Sequence, residues 1–190
     1  MDQSKKRDHK IIVTDMAIEK VPYIKIPGLS DEICKAIQNE HKEILRISKN
    51  QNNSNEVLSL MTITNLEIVR VLGDEFKVDP SNNPVAVALF RNTVKNELMY
   101  LHNHPSTNKF SLIDLTEFLN YSNIGLLSVV TNQVEVYILH KTSDFDFDIA
   151  KDLLVNAGKS AERYIISHDA AVKKFLKECR KGGVFYVKAN

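Results

Sequence analysis

Residues 97–119, ELMYLHNHPSTNKFSLIDLTEFL, constrain this chain more than any other stretch, because the apolar period changes inside them. Up to His104 the alternation is that of a strand. It puts Leu98, Tyr100, His102 and His104 on one face and Met99 and Leu101 on the other. Pro105 opens a loop, and from Ser111 the spacing is helical, with Leu112, Leu115, Phe118 and Leu119 as the buried face. A strand, a short loop and a helix are therefore tied together within two dozen residues.

The flanking sequence supplies the rest of a sheet. SDEICKAIQNEHKEILRISK, residues 30–49, opens on a Ser-Asp-Glu start signal that suits the positive end of a helix dipole. Its buried stripe is Ile33, Ala36, Ile37, Ile44 and Ile47; Glu40 and Glu43 fall between these positions and are expected in solvent. NQNNSN ends that helix, and EVLSLMTITNLEIVRVLGDE, residues 56–75, reads as a hairpin turning at Thr64-Asn65. A helix over 83–96 is expected to bury Val87, Phe90 and Val94. Two strands follow, GLLSVVTN and VEVYILHK, joined near Asn132-Gln133. Residues 148–180 are helical with a break around Gly158, and GVFYVK is a last strand. Residues 1–29 hold two short β-prone pieces separated by polar residues and Pro22. The order predicts an α/β (α+β) fold, a mixed sheet sandwiched by helices, with no linker that separates two domains.

Bulk properties exclude several classes of function. A chain of 190 residues suffices for one domain with a proper core and an appendage. A net charge of +1 provides no global field toward nucleic acid or membranes. The basic runs SKKRDHK and KKFLKECRKGG read as solvated ends, which weighs against a nucleic-acid partner. No apolar run approaches the roughly 20 residues of a membrane span, and the N-terminus lacks the apolar core of a secretion signal. Cys34 and Cys179 lack any CxxC spacing and read as free thiols of a reducing compartment, so a cytoplasmic protein is expected.

The chemistry concentrates at the strand end. Side chains at i and i+2 project the same way, so His102 and His104 can point at one spot, and Asp114 on the next helix can fold back toward it. Zinc takes N and O ligands at about 2.0–2.2 Å, and a catalytic zinc keeps three protein ligands and one open position. Each element also has a plainer role: Ser111 as a helix N-cap and Asp114 as a first-turn acid. The two roles are compatible. His9, His41 and His168 lie in charged contexts, His140 ends a strand at the surface, and Asn103 and Ser106 fit turn roles.

On HNHPS and SLID the chain resembles the JAB/MPN metalloprotease superfamily, also called JAMM, and its RadC-like bacterial branch in particular. The resemblance covers roughly residues 31–141 and implies an MPN/JAB-like (cytidine-deaminase-like) domain over 31–145. Residues 1–30 would be an N-terminal extension and 146–190 a C-terminal helical extension packed on the same domain. It implies zinc on His102, His104 and Asp114, Ser111 as stabiliser of the oxyanion, and a glutamate base at the start of an early strand, which Glu56 matches. The implied activity is cleavage of a peptide or isopeptide bond in a protein or peptide substrate, including a ubiquitin-like tail. The alternative is an inactive scaffold of the same fold that binds protein or DNA. Six residues, PSTNKF, separate His104 from Ser111, one fewer than in the family pattern.

Overall fold

The computed structural model describes residues 10–162 and 167–190, with side chains up to 159 and from 167. The His9 position and the first residues of the basic N-terminal run lie outside them. The architecture is mixed α/β. Six strands, β1 (Val57–Thr62), β2 (Ile68–Leu72), β3 (Leu98–His104), β4 (Ile124–Thr131), β5 (Val136–Lys141) and β6 (Val184–Ala189), form one sheet in the order β2-β1-β3-β4-β5-β6. β3 and β4 are parallel and every other neighbouring pair is antiparallel.

Helices cover both faces. On one lie α1 (Asp15–Glu19) and α2 (Asp31–Gln51); on the other lie α3 (Pro84–Asn92), α4 (Leu112–Asn120), α5 (Phe147–Glu162) and α6 (His168–Glu178). β3 shows how this follows from its sequence. Leu98 and Tyr100 enter the apolar layer under α4 to α6, whereas Met99 and Leu101 enter the layer under α2, and every residue of the strand is buried. A strand covered on both sides is apolar on both sides. Among the described residues no helix is long and apolar enough to cross a membrane.

Several expectations need correction. Residues 10–29 contain no strand: Thr14 caps α1, and Val13, Ile18, Val21 and Ile26 are buried as separate anchors against α2 and the sheet. Pro22 and Pro27 break the run before a ladder can form. α3 stops at its cap, Thr93, so Val94 lies beyond it and is exposed; Ala86 and Leu89 are its buried residues, with Phe90 packed partly against them. α5 passes through Gly158 without a break, because a glycine keeps its backbone N–H and lowers helix propensity by only about 1 kcal/mol.

Glu40 is only 4% exposed, not solvated: Arg70 of β2 donates from Nε and from a terminal nitrogen to its two carboxylate oxygens, both at 2.7 Å. The partner lies thirty residues away, beyond any helical pattern. Truncating Arg70 to alanine strands this carboxylate in the interior. Chemical denaturation is expected to show a loss of about 2–3 kcal/mol, less than for a fully buried pair because Arg70 is partly exposed. His41 is also buried rather than solvated, with its Nε2 2.9 Å from Ser128 Oγ, which donates to the Tyr137 carbonyl. Burial holds this imidazole neutral, at a pKa of about 3.

Candidate metal centre

The sheet delivers both histidines to the C-terminal end of β3. There α4 returns with its N-terminus facing them. Ser111 caps that helix: its Oγ accepts from Asp114 N at 3.1 Å, and Asp114 Oδ2 accepts from Ser111 N at 2.6 Å. This reciprocal cap fixes the rotamer of the aspartate as well as satisfying the helix end. The carboxylate so held places Oδ1 3.7 Å from His102 Nε2 and Oδ2 3.7 Å from His104 Nε2. The six-residue loop thus brings Asp114 beside both histidines, and the capping box with Ser111 does not draw its carboxylate away from them.

His102 Nε2 and His104 Nε2 are 3.0 Å apart, and the three donor atoms all lie within 4.8 Å of one another. A tetrahedral zinc with bonds near 2.0–2.1 Å needs ligand separations of about 3.3 Å, so the spacing fits a divalent ion with small adjustment. The tautomer of His104 also fits. Its Nδ1 lies 2.9 Å from the Asn108 carbonyl, to which it donates, and this leaves the Nε2 lone pair free for an ion. Burial pulls His102 down to about 4, with His104 adding and Asp114 opposing, so the ring is neutral as a ligand must be. The triad can hold a metal ion.

Glu56 immediately precedes β1 and opens onto the same cleft of about 1300 Å³ as His102, His104, Ser111 and Asp114. Its main chain is pinned by Glu56 N to Asp74 O and Gly73 N to Glu56 O, each 2.9 Å, and by Asn52 Nδ2 to Glu56 O at 2.7 Å. Gly73 is needed here because a Cβ on it would stand 2.4 Å from the Lys77 carbonyl. Burial lifts the Glu56 carboxyl from its usual 4.5 to about 8, and the charges of Asp114 and Asp74 add to it. A cation in the triad would act the other way and favour the ionised form.

This shift has a testable sign. Between its unfolded value and about 8, folded Glu56 keeps a proton that the unfolded chain has lost, so stability falls as pH rises. His102 and His41 act oppositely, but only below 6.5. From pH 6.5 to 8, metal-free wild type is expected to lose about 1–2 kcal/mol that Glu56→Gln does not lose. Urea titrations in a chelator at the two pH values measure it.

No family model, curated protein or solved structure matches this chain.

Three residues that bear on the site were not assigned to it from sequence. Asn103, between the histidines, is fully buried on the opposite face of β3, where it accepts from Val57 N at 2.7 Å and donates toward Asn132 Oδ1, Asn55 O and Ser48 Oγ. It is not a turn residue. It ties the strand that carries the two histidines to the backbone beside Glu56. Tyr100 and Glu117 line the cleft itself. The alternation of β3 already set Tyr100 on the histidine face, and Glu117 lies one helical step, i+3, beyond Asp114.

Proposed function

We propose that this protein is a zinc-dependent hydrolase of the JAB/MPN type, cutting a peptide or isopeptide bond. The observation that carries the reading is the convergence of Glu56, His102, His104, Ser111 and Asp114, from three separate segments, on one cleft. A sheet sandwiched by helices, with the histidines at the end of one parallel strand and the aspartate on the crossover helix, suits an MPN/JAB-like domain. Residues 10–29 and β6 then serve as additions to that domain, since the first supply core anchors and the second extends the sheet beside β5.

His102, His104 and Asp114 would hold the ion, which when bound supplies Lewis acidity toward a water and the scissile carbonyl. Glu56 takes the proton of the attacking water and returns it to the leaving amine. Ser111 Oγ accepts from Asp114 N, so its hydroxyl proton remains free to donate to the oxygen on which charge develops. Exposed apolar side chains on the cleft, Phe76 and Ile113, give a peptide something to rest on. Two free, buried cysteines suit a reducing compartment, and a cytoplasmic location is part of the same proposal. For the scaffold reading, two basic residues of the C-terminal stretch, Lys173 and Lys181, already pair with Asp169 and Glu178, and a net charge of +1 gives DNA no general attraction.

The test is Glu56→Gln. It removes the base but none of the ligands, so the variant should bind zinc as wild type does. Its turnover of a fluorogenic Gly-Gly isopeptide should drop by about 10²–10⁴-fold. Equal turnover by both proteins, or none by zinc-loaded wild type, would count against the proposal.

A further inference from the structure

The hydrolytic scheme leaves one cation of the cleft without a role: Lys10, on the N-terminal segment that lies before the span of the family resemblance. That segment is pinned between the stretches that carry Glu56 and His104. Ile11 N donates to the Pro105 carbonyl at 2.7 Å, one residue past His104, and Ile11 O accepts from Asn132 Nδ2 at 2.7 Å. Val13 N donates to Ser54 Oγ at 3.1 Å, two residues before Glu56. Lys10 Nζ itself donates to Asn55 Oδ1 at 3.2 Å, and Asn55 is the chain neighbour of Glu56. These contacts fix the ammonium on the wall where the two flanks of the candidate site meet.

What this ammonium lacks is an anion. The cleft is lined by the carboxylates of Glu56, Glu75, Asp114, Glu117 and Asp169, yet among the described residues Lys10 forms an ion pair with none of them. Lys109 of the same cleft does pair, with Asp169 at 3.6 Å. The groups to which the segment is bonded, on Ser54, Asn55, Pro105 and Asn132, are all neutral. An ammonium has three donors, and the Asn55 amide oxygen takes one. A half-buried lysine held in place by a neutral partner, with donors to spare and a cleft before it, suits an incoming carboxylate. Lys77, which also lines the cleft without an ion pair among the described residues, is exposed and serves as the control.

We infer that Lys10 anchors a carboxylate of the substrate beside the candidate metal centre, between the segments that carry Glu56 and His104. The inference rests on the proposed peptide substrate but not on turnover. An acidic side chain and a free C-terminus offer the same group, and the experiment separates them. Lys10 is a substrate-binding residue in this scheme, and the hydrogen bonds of Ile11 and Val13 hold it in position.

The experiment reads binding alone. Full-length protein, metal-free in a chelator and zinc-loaded, is titrated calorimetrically with three peptides: acetyl-Gly-Gly-Glu-amide, acetyl-Gly-Gly-Gln-amide and acetyl-Gly-Gly-Gln with a free C-terminus. In metal-free protein a carboxylate peptide should bind at least about fivefold more tightly than the neutral amide. A gain for the glutamate peptide supports the inference with a side-chain carboxylate, and a gain for the free acid supports it with a chain end. Lys10→Met keeps the stem but removes the charge and should equalise the three affinities, whereas Lys10→Arg and Lys77→Met should retain the preference. Circular dichroism of all variants should match wild type. Equal affinities in wild type, no detectable binding, a preference seen only with zinc, one that survives Lys10→Met, or one lost in Lys77→Met overturns the inference. If the metal-free preference holds while zinc-loaded protein turns over no isopeptide, the hydrolase proposal falls and the carboxylate site stands.

Discussion

Replacing His102 by alanine is expected to lower zinc affinity by at least about 100-fold and to remove all metal-dependent cleavage, while the fold survives. The ion would lose one of three protein donors, and His104 and Asp114 alone leave two positions to solvent. The fold should persist because His102 contributes no hydrogen bond to the framework: Nε2 faces only the other two donors, and Nδ1 is buried without a partner among the described residues. Asp114→Asn is the companion variant. An amide oxygen can still accept from Ser111 N, so α4 stays capped, but the negative charge that offsets the ion is gone. Dialysed proteins analysed for metal content, with circular dichroism as the control for folding, decide the matter. One equivalent of zinc in wild type and none in either variant is the expected result; a full equivalent in His102→Ala would show that the ion sits elsewhere.

Replacing Asn103 by alanine should cost about 3–5 kcal/mol, the largest stability loss of any single polar change near the cleft. The residue is 0% exposed and sits where four segments meet: the end of α2, the 54–57 turn, β3 and the β4–β5 connection. Truncation leaves Val57 N–H and Asn132 Oδ1 without these partners in the interior. Asn132 in turn donates to Ile11 O of the N-terminal segment at 2.7 Å and to Ser54 O of the turn after α2 at 3.0 Å, so the loosening spreads. The midpoint of urea unfolding should fall at unchanged slope. Because Asn103 points away from the histidines, zinc stoichiometry should be retained, while turnover drops about tenfold as Glu56 loses its anchored neighbour. A midpoint within experimental scatter of wild type would contradict this account.

How far the sequence could be read depended on the range of the interactions involved. The strand–loop–helix at 97–119 was legible because its determinants are local: side chains alternate along a strand, and Ser111 and Asp114 cap a helix three residues apart. The burial of Glu40 was not legible, since nothing near it in sequence announces Arg70. The N-terminal segment misled for a related reason. Its β-branched residues suit a strand, but a strand needs an edge to pair with, and these residues pack as isolated anchors instead.

By itself the sequence determined the change of period within 97–119, the face on which each candidate ligand lies and the local cap that orients Asp114. Only the tertiary structure decided that Glu56 opens onto the same cleft as the triad and that Asn103 is a buried tie rather than a turn residue. Periodicity and capping are short-range consequences of backbone geometry, whereas burial, charge pairing and the shape of a cleft depend on which distant segments are brought together.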